Sequence, residues 1–271
     1  MREKRNKIIA YAALSIIAVV FLLPLCWVVL ASVDATANLS VKAPDFTLEN
    51  YKSILTNKSN YLSFLNGFII SFGQSVLVVL LAGLAAYPLS RYEMKHKKLF
   101  MLSMLFMTSL PIATIMVPVY KMFLTVKLYD NLFGVILFMT ASSMPYSIWM
   151  MKNFMDAVPM ELEEAAWVDG AGKLRGIQKV IVPLMVPGIF TIAIYTFSGS
   201  WGNFLVPFIL ISSSEKYPAA VTLYQFFGTH TVSYGLLASF SIIYALPSII
   251  LYVLTQRYMS KGFSMQGGTK G

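Results

Sequence analysis

The residues able to do chemistry in this chain are few, and their placement limits what they can do. None of the twelve acidic residues lies inside an apolar stretch, and no lysine or arginine does either. The two histidines, His96 and His230, fall between such stretches. The sequence has no Gly-x-x-x-x-Gly-Lys-[Ser/Thr] phosphate loop, no His-Glu-x-x-His and no Cys-x-x-Cys. Nucleotide hydrolysis by that route is therefore excluded, and energy for any active process has to arrive from another subunit. An intramembrane enzyme would need an Asp pair, a His cluster or a Ser–His set in the apolar stretches, and none is there. The single cysteine, Cys26, excludes an intrachain disulfide and reads as a buried thiol in an apolar run.

What the apolar stretches do carry is uncharged polarity: Asn66, Ser71, Gln74, Ser75, Ser142, Ser143, Ser198, Ser200 and Asn203. Each alone is explained by helix–helix hydrogen bonding in a membrane. Taken with Trp149, Tyr195 and Trp201 they suit a pathway for a neutral, polyhydroxylated solute, which binds through amides, hydroxyls and aromatic stacking. Asn66, Gln74, Tyr195, Trp201 and Asn203 are the candidate pathway residues. Proton- and sodium-coupled carriers keep ionisable groups at mid-membrane, so their absence here argues against ion coupling.

The elements that must position these residues follow from composition. Of 271 residues, 57% are hydrophobic and 12% charged, and the mean hydropathy is +0.68. Soluble domains carry about a quarter charged residues, so most of this surface faces lipid. Six uncharged apolar stretches, at 8–33, 62–90, 99–120, 132–151, 181–213 and 234–256, each approach the ~20 residues that cross a bilayer. The second and fifth exceed that length and should tilt, kink or project. The apolar core of the first is longer than the 7–15 residues of a signal peptide, so it reads as an uncleaved span. With the N-terminus inside, 15 lysines and arginines fall on the cytoplasmic side and 6 on the outer side. That bias supports the span count and places both termini in the cytoplasm. The net charge of +9 is then topological rather than a sign of a nucleic-acid partner. The expected fold is all-α: a polytopic membrane protein of six transmembrane helices over residues 8–256, with cytoplasmic ends at 1–7 and 257–271. Extracellular loops are expected at 34–61, 121–131 and 214–233. The first can fold as a small cap. The last is rich in aromatics (Tyr217, Tyr224, Phe226, Phe227) that read equally as an interfacial belt or as a surface reaching a partner.

One cytoplasmic connection, at about 152–180, is unusual. Pro159 suits a first helical position, and Glu161, Glu163 and Glu164 follow where they favour a helix N-terminus. Gly170 and Gly172 supply a stop. The spacing predicts a helix of about ten residues, too short to span, with Leu162, Ala165, Ala166 and Trp167 along an apolar edge. Helices that lie on the inner leaflet favour Lys and Arg, whereas this one is acidic. Its alanines and glycine permit close seating in a protein groove, so it reads as a docking helix for a cytoplasmic partner.

Glu164-Ala165-Ala166, then Gly170, then Val180-x-Val182-Pro183 resembles the EAA loop of ATP-binding-cassette importer permeases, with valines where that family usually has Ile and Leu. The longer pattern from Pro159 to Ala171, with Glu163 and Asp169, is similar to the carbohydrate-uptake branch. Trp201-Gly202-Asn203-Phe204, followed by Pro207, resembles a segment of that branch's fifth common helix, with Gly202 in place of an asparagine. The ending at 261–271 resembles the glycine-rich tail of the maltose-type second permease. The resemblance covers essentially the whole chain. It implies a non-catalytic permease subunit in a prokaryotic plasma membrane, forming half of the pathway for a sugar or oligosaccharide. The implied partners are a second homologous permease, two ATP-binding-cassette ATPase subunits and an extracellular or periplasmic solute-binding protein. ATP and Mg would be held by the ATPases, with no cofactor or metal in this chain. The resemblance further implies ATPase coupling through Glu163, Glu164, Ala165, Ala166, Asp169 and Gly170, and tail contacts with the ATPase through Met265, Gln266, Gly267 and Gly268. It also implies binding-protein contact through Tyr217, Tyr224, Phe226 and Phe227. The alternatives are a permease of the same superfamily for a non-sugar solute, or an ion-coupled carrier without an ATPase.

Overall fold

The computed structural model describes the backbone of residues 2–40, 42–227 and 232–267, and the side chains of 6–40, 42–227 and 232–254. In chain order the α-helices are α1 (Arg2–Ser32), α2 (Glu49–Thr56), α3 (Lys58–Arg91), α4 (Lys97–Met107), α5 (Ile112–Thr125), α6 (Leu132–Asp156), α7 (Met160–Val168), α8 (Lys173–Gly176), α9 (Val182–Trp201), α10 (Leu205–Leu210), α11 (Ala219–Gln225) and α12 (Tyr234–Gly267). A π-helical turn, Ile177–Ile181, joins α8 to α9, so that Lys173–Trp201 runs as one span. The fold is all-α and polytopic. Five helices are long and apolar enough to cross a membrane, and α4 with α5 makes a sixth, broken span.

The chain forms two compact units. The first comprises Met1–Tyr61 and Thr222–Pro247. In it the apolar side chains of α1, such as Leu14, Phe21 and Leu23, are exposed along the helix, as lipid contact requires. Cys26 is exposed on that surface too, which corrects its reading as a buried thiol. The segment after α1 closes through an antiparallel bridge between Asp34 and Phe46. Asn50 of α2 donates to the Ser32 and Asp34 carbonyls, and Ser239 of α12 donates to the Ser32 carbonyl.

The second unit comprises Leu62–Val221 and Ser248–Gly271. One apolar cluster there joins Val78, Ala82 and Ala86 of α3 to Ile148, Met151 and Met155 of α6 and Met185 and Ile192 of α9. A second joins Met116 and Phe123 of α5 to Val135, Ile136 and Met139 of α6 and Val206 and Leu210 of α10. Helices α6 and α9 meet so closely that a Cβ on Gly188 would lie 2.6 Å from Phe154 Cγ, and only glycine permits that approach.

Two expected spans take a different form. The third is not one helix: Thr108–Pro111 interrupt it and turn α5 by 87° from α4. Pro111 lacks an N–H and biases Leu110 away from helical geometry. The fifth, an apolar stretch at 181–213, starts earlier as a helical span, at Lys173, and stops at Trp201. Gly202 ends it, and α10 begins a separate short helix.

A tight latch ties the α5–α6 turn to the segment after α10. Asp130, at φ 55, accepts from the Ser212 and Ser213 amides at 3.0 and 2.9 Å, from Ser213 Oγ at 2.6 Å and from Lys216 Nζ at 2.7 Å. Burial opposes the charge on Asp130, but hydrogen bonds from Lys216, Ser213 and Ser212 outweigh it and hold the carboxyl well below the usual range. A carboxyl whose folded value lies below its unfolded one (~3.9) stabilises fully above that unfolded value. The contribution is lost as pH falls through the folded value. Thermal unfolding in detergent should therefore show no loss from this group between neutral pH and about 5, and a loss below about 4. Asp130→Asn, which tolerates the positive φ, should lack that part of the acid limb.

Candidate functional site: the docking helix and the cavity

Helix α7 follows Pro159, which is its N-cap rather than its first helical residue. Nine residues later it ends in a Schellman motif: the Gly170 N–H bonds the Trp167 carbonyl at 3.0 Å and the Ala171 N–H bonds the Ala166 carbonyl at 2.9 Å. Gly170 sits at φ +84, the left-handed conformation that glycine adopts without cost.

The orientation of α7 separates its glutamates. Glu163 is turned inward, 1% exposed. Its Oε1 accepts from Tyr87 OH at 2.5 Å and its Oε2 from Arg91 Nε at 3.1 Å. Tyr87 and Arg91 lie four apart at the end of α3, on one helix face. Trp167, four residues after Glu163, shares its side, with Nε1 beside Gly176 of α8. Trp167 Nε1 and Arg91 Nη2 are buried without a partner among the described residues. A second tie joins α3 to α6, where Ser90 donates to Asp156, which also pairs with Lys152. The short helix is thus fastened to α3 by a buried ion pair.

The outward face carries Glu161, Glu164, Ala165 and Val168, all exposed, with Val168 at 88%. Leu162 is also exposed, while Ala166 is half-buried. Asp169 and Gly170 are exposed at the helix end. Two expectations change here. The apolar edge drawn through Leu162, Ala165, Ala166 and Trp167 does not act as one surface, because Trp167 packs against its own chain. Glu163 does not reach outward, because Arg91 and Tyr87 hold it in a buried site where an unpaired carboxylate would be costly.

The polar residues of the spans divide as well. Gln74 and Tyr195 line one cavity with Ser142, Ser143 and Tyr146, beside the α4–α5 break. Asn66 instead donates to the Glu215 and Tyr217 carbonyls at 2.8 and 3.3 Å. Trp201 is buried and stacks on Phe197 at 6.0 Å. Asn203 Oδ1 accepts from the Val206 N–H at 3.0 Å and so starts α10. These three hold the fold rather than line the cavity. Ser142, Ser143 and Tyr146 join the site; the hydroxyls were visible in the sequence, but not that α6 turns them toward Gln74. In the 214–233 loop, Tyr217 donates to the Ser212 carbonyl and Phe226 packs on Phe240, which leaves Tyr224 and Phe227 exposed. His230, in the same loop, lies outside the described residues, as does Gly268. At Met265, Gln266 and Gly267 only the backbone is described.

Comparison with known proteins adds to this geometry. A family model described as binding-protein-dependent transport system inner membrane component matches residues 79–263. The sulfoquinovosyl glycerol transport system permease protein SmoH of Agrobacterium fabrum is 30% identical over 98% of this chain and 95% of its own. The maltodextrin transport system permease protein MdxG of Bacillus subtilis is 29% identical over 98% of this chain and 97% of its own. Among solved structures, a chain of a bacterial transporter importing the acidic polysaccharide alginate superposes with a TM-score of 0.83 at 22% identity, covering 95% of this chain and 98% of that one.

Proposed function

This chain belongs to the family of binding-protein-dependent transport system inner membrane components, and from that premise we propose that its cargo is a sugar or oligosaccharide. It is a multi-pass permease subunit of an ATP-binding-cassette importer. It pairs with a second, homologous permease, rests on two ATPase subunits that hold the ATP and Mg, and receives cargo from a solute-binding protein on the outer side. Both termini face the cytoplasm, a reading supported by the 15-to-6 distribution of lysine and arginine.

The observation that carries the coupling role is the division of α7. Glu163 is locked to Arg91 and Tyr87, while Glu164, Ala165 and Val168 face outward. A helix held to α3 on one side and open to a partner on the other transmits a push. Glu164 supplies the polar anchor, Ala165 the close seat, and Asp169 with Gly170 the end of the contact. Glu163 keeps the helix in place and acts through Arg91. Closure of the ATPases around α7 moves α3 with it. Tyr224 and Phe227 are the aromatics best placed to meet the binding protein, and the 265–268 tail is a further contact with the ATPases.

Cysteine cross-linking tests the docking face. In a Cys26→Ser background, Ala165→Cys should form an oxidative cross-link to a cysteine engineered in the ATPase, in the assembled complex. A cross-link from Trp167→Cys, on the inward side, with none from Ala165→Cys would reverse the assignment.

A further inference from the structure

The cavity in the second unit has a volume of about 600 Å³, within the ~300–1,000 Å³ range of small-molecule sites. It lies between α3, α6, α9 and the break separating α4 from α5. No lysine, arginine, histidine, aspartate or glutamate is among its lining residues. Gln74 is 4% exposed, and its Nε2 donates to the Met139 carbonyl at 3.1 Å and to Ser143 Oγ at 3.3 Å. A carbonyl only accepts, so the amide cannot be flipped without setting two oxygens against each other. Ser143 Oγ meanwhile spends its own proton on the Thr140 carbonyl at 3.0 Å. Gln74 Oε1 is therefore fixed in place, buried, and without a partner among the described residues. An acceptor left in that state carries a desolvation penalty that nothing offsets. Beside it the rings of Tyr146 and Tyr195 lie 4.9 Å apart at 45°, and Tyr195 is half-exposed.

We propose that this subunit itself contacts the cargo in this cavity, and that the cargo segment bound here is a neutral saccharide. The proposal rests on the importer reading above. A sugar hydroxyl donates to Gln74 Oε1, and the C–H face of the ring lies on Tyr195. A uronate or other acidic sugar would bring a carboxylate to a lining that offers it no cation, and an unpaired charge in such a place is strongly disfavoured. Neutral hydroxyls meet no such penalty.

The test uses the assembled importer with its partner permease, ATPases and binding protein, reconstituted in vesicles. Radiolabelled maltose, trehalose and diacetylchitobiose serve as neutral probes, and digalacturonate as the acidic one. Wild type should take up at least one neutral probe and exclude digalacturonate. Gln74→Leu should lower uptake of that probe about tenfold, the size of one buried hydrogen bond, at an unchanged yield of assembled complex. Tyr195→Ala, at a position exposed enough to spare the fold, should lower it similarly and stands alone if Gln74→Leu fails to assemble. Uptake of a neutral probe at wild-type rates by an assembled variant would overturn the cavity assignment while leaving the importer reading intact. Preference for digalacturonate would overturn the neutral class. ATP-dependent uptake of no probe by wild type would count against the importer reading, and this inference would fall with it.

Discussion

Replacing Arg91 by methionine is expected to lower ATP-dependent uptake more than tenfold and to cut the yield of assembled complex. The substitution leaves the Glu163 carboxyl, 1% exposed, without its cation, with Tyr87 as its one remaining donor among the described residues. Removing one member of a buried ion pair typically costs about 3–5 kcal/mol, mostly because the other charge stays behind. The loss falls on the attachment of α7, since the pair joins α7 to the last turn of α3. A second variant separates this positioning role from a direct one. In Tyr87→Phe/Arg91→Met/Glu163→Met the charge and both its donors are replaced by apolar groups of similar size, which is often nearly neutral. Uptake by that triple variant should return to within about threefold of wild type, a strongly non-additive result. If the triple variant is as inactive as Arg91→Met, Glu163 has a role beyond holding the helix.

Glu164→Arg is expected to abolish co-purification with the ATPase and to stop uptake, while the permease itself still folds. Glu164 lies on the exposed face of α7 with no hydrogen bond or ion pair to its own chain among the described residues, so the fold loses nothing when it changes. Its neighbours on that face are Ala165, which permits close approach, and Val168, whose exposure has no use in an isolated chain. On the proposed docking, reversing the charge brings a cation to a contact that Glu164 makes as an anion, and like charges brought together at an interface cost several kcal/mol. Complex yield measured beside permease yield reads the effect. An unaltered complex would mean that α7 docks through other residues or does not dock.

The two glutamates show how far the sequence could be read. Glu163 and Glu164 are adjacent and chemically identical, so composition treats them alike, and the resemblance implies ATPase contact for both. Helical geometry turns them about 100° apart, yet it does not say which of the two points inward. That is decided by Arg91 and Tyr87, 72 and 76 residues away. The span count was legible because it depends on length and hydropathy, which are local. The break at Thr108–Pro111 was marked only by its proline. Several other prolines, including Pro88 and Pro145, sit inside unbroken helices, so proline alone could not locate the turn. Asn66, Gln74 and Asn203 carry the same amide, but their partners differ. Asn66 and Asn203 meet backbone groups that complete their role in the fold, whereas Gln74 donates to the Met139 carbonyl and Ser143 Oγ and also lines a cavity.

On the proposed function this chain moves its cargo by receiving work from an ATPase, and transport in sealed vesicles tests that coupling most directly. The reconstituted complex, loaded with its binding protein and a labelled sugar, should accumulate the sugar only when ATP is supplied on the side of α7. Dissipating proton and sodium gradients should leave that accumulation unchanged. Accumulation that needs no ATP and collapses with an ion gradient would contradict the account.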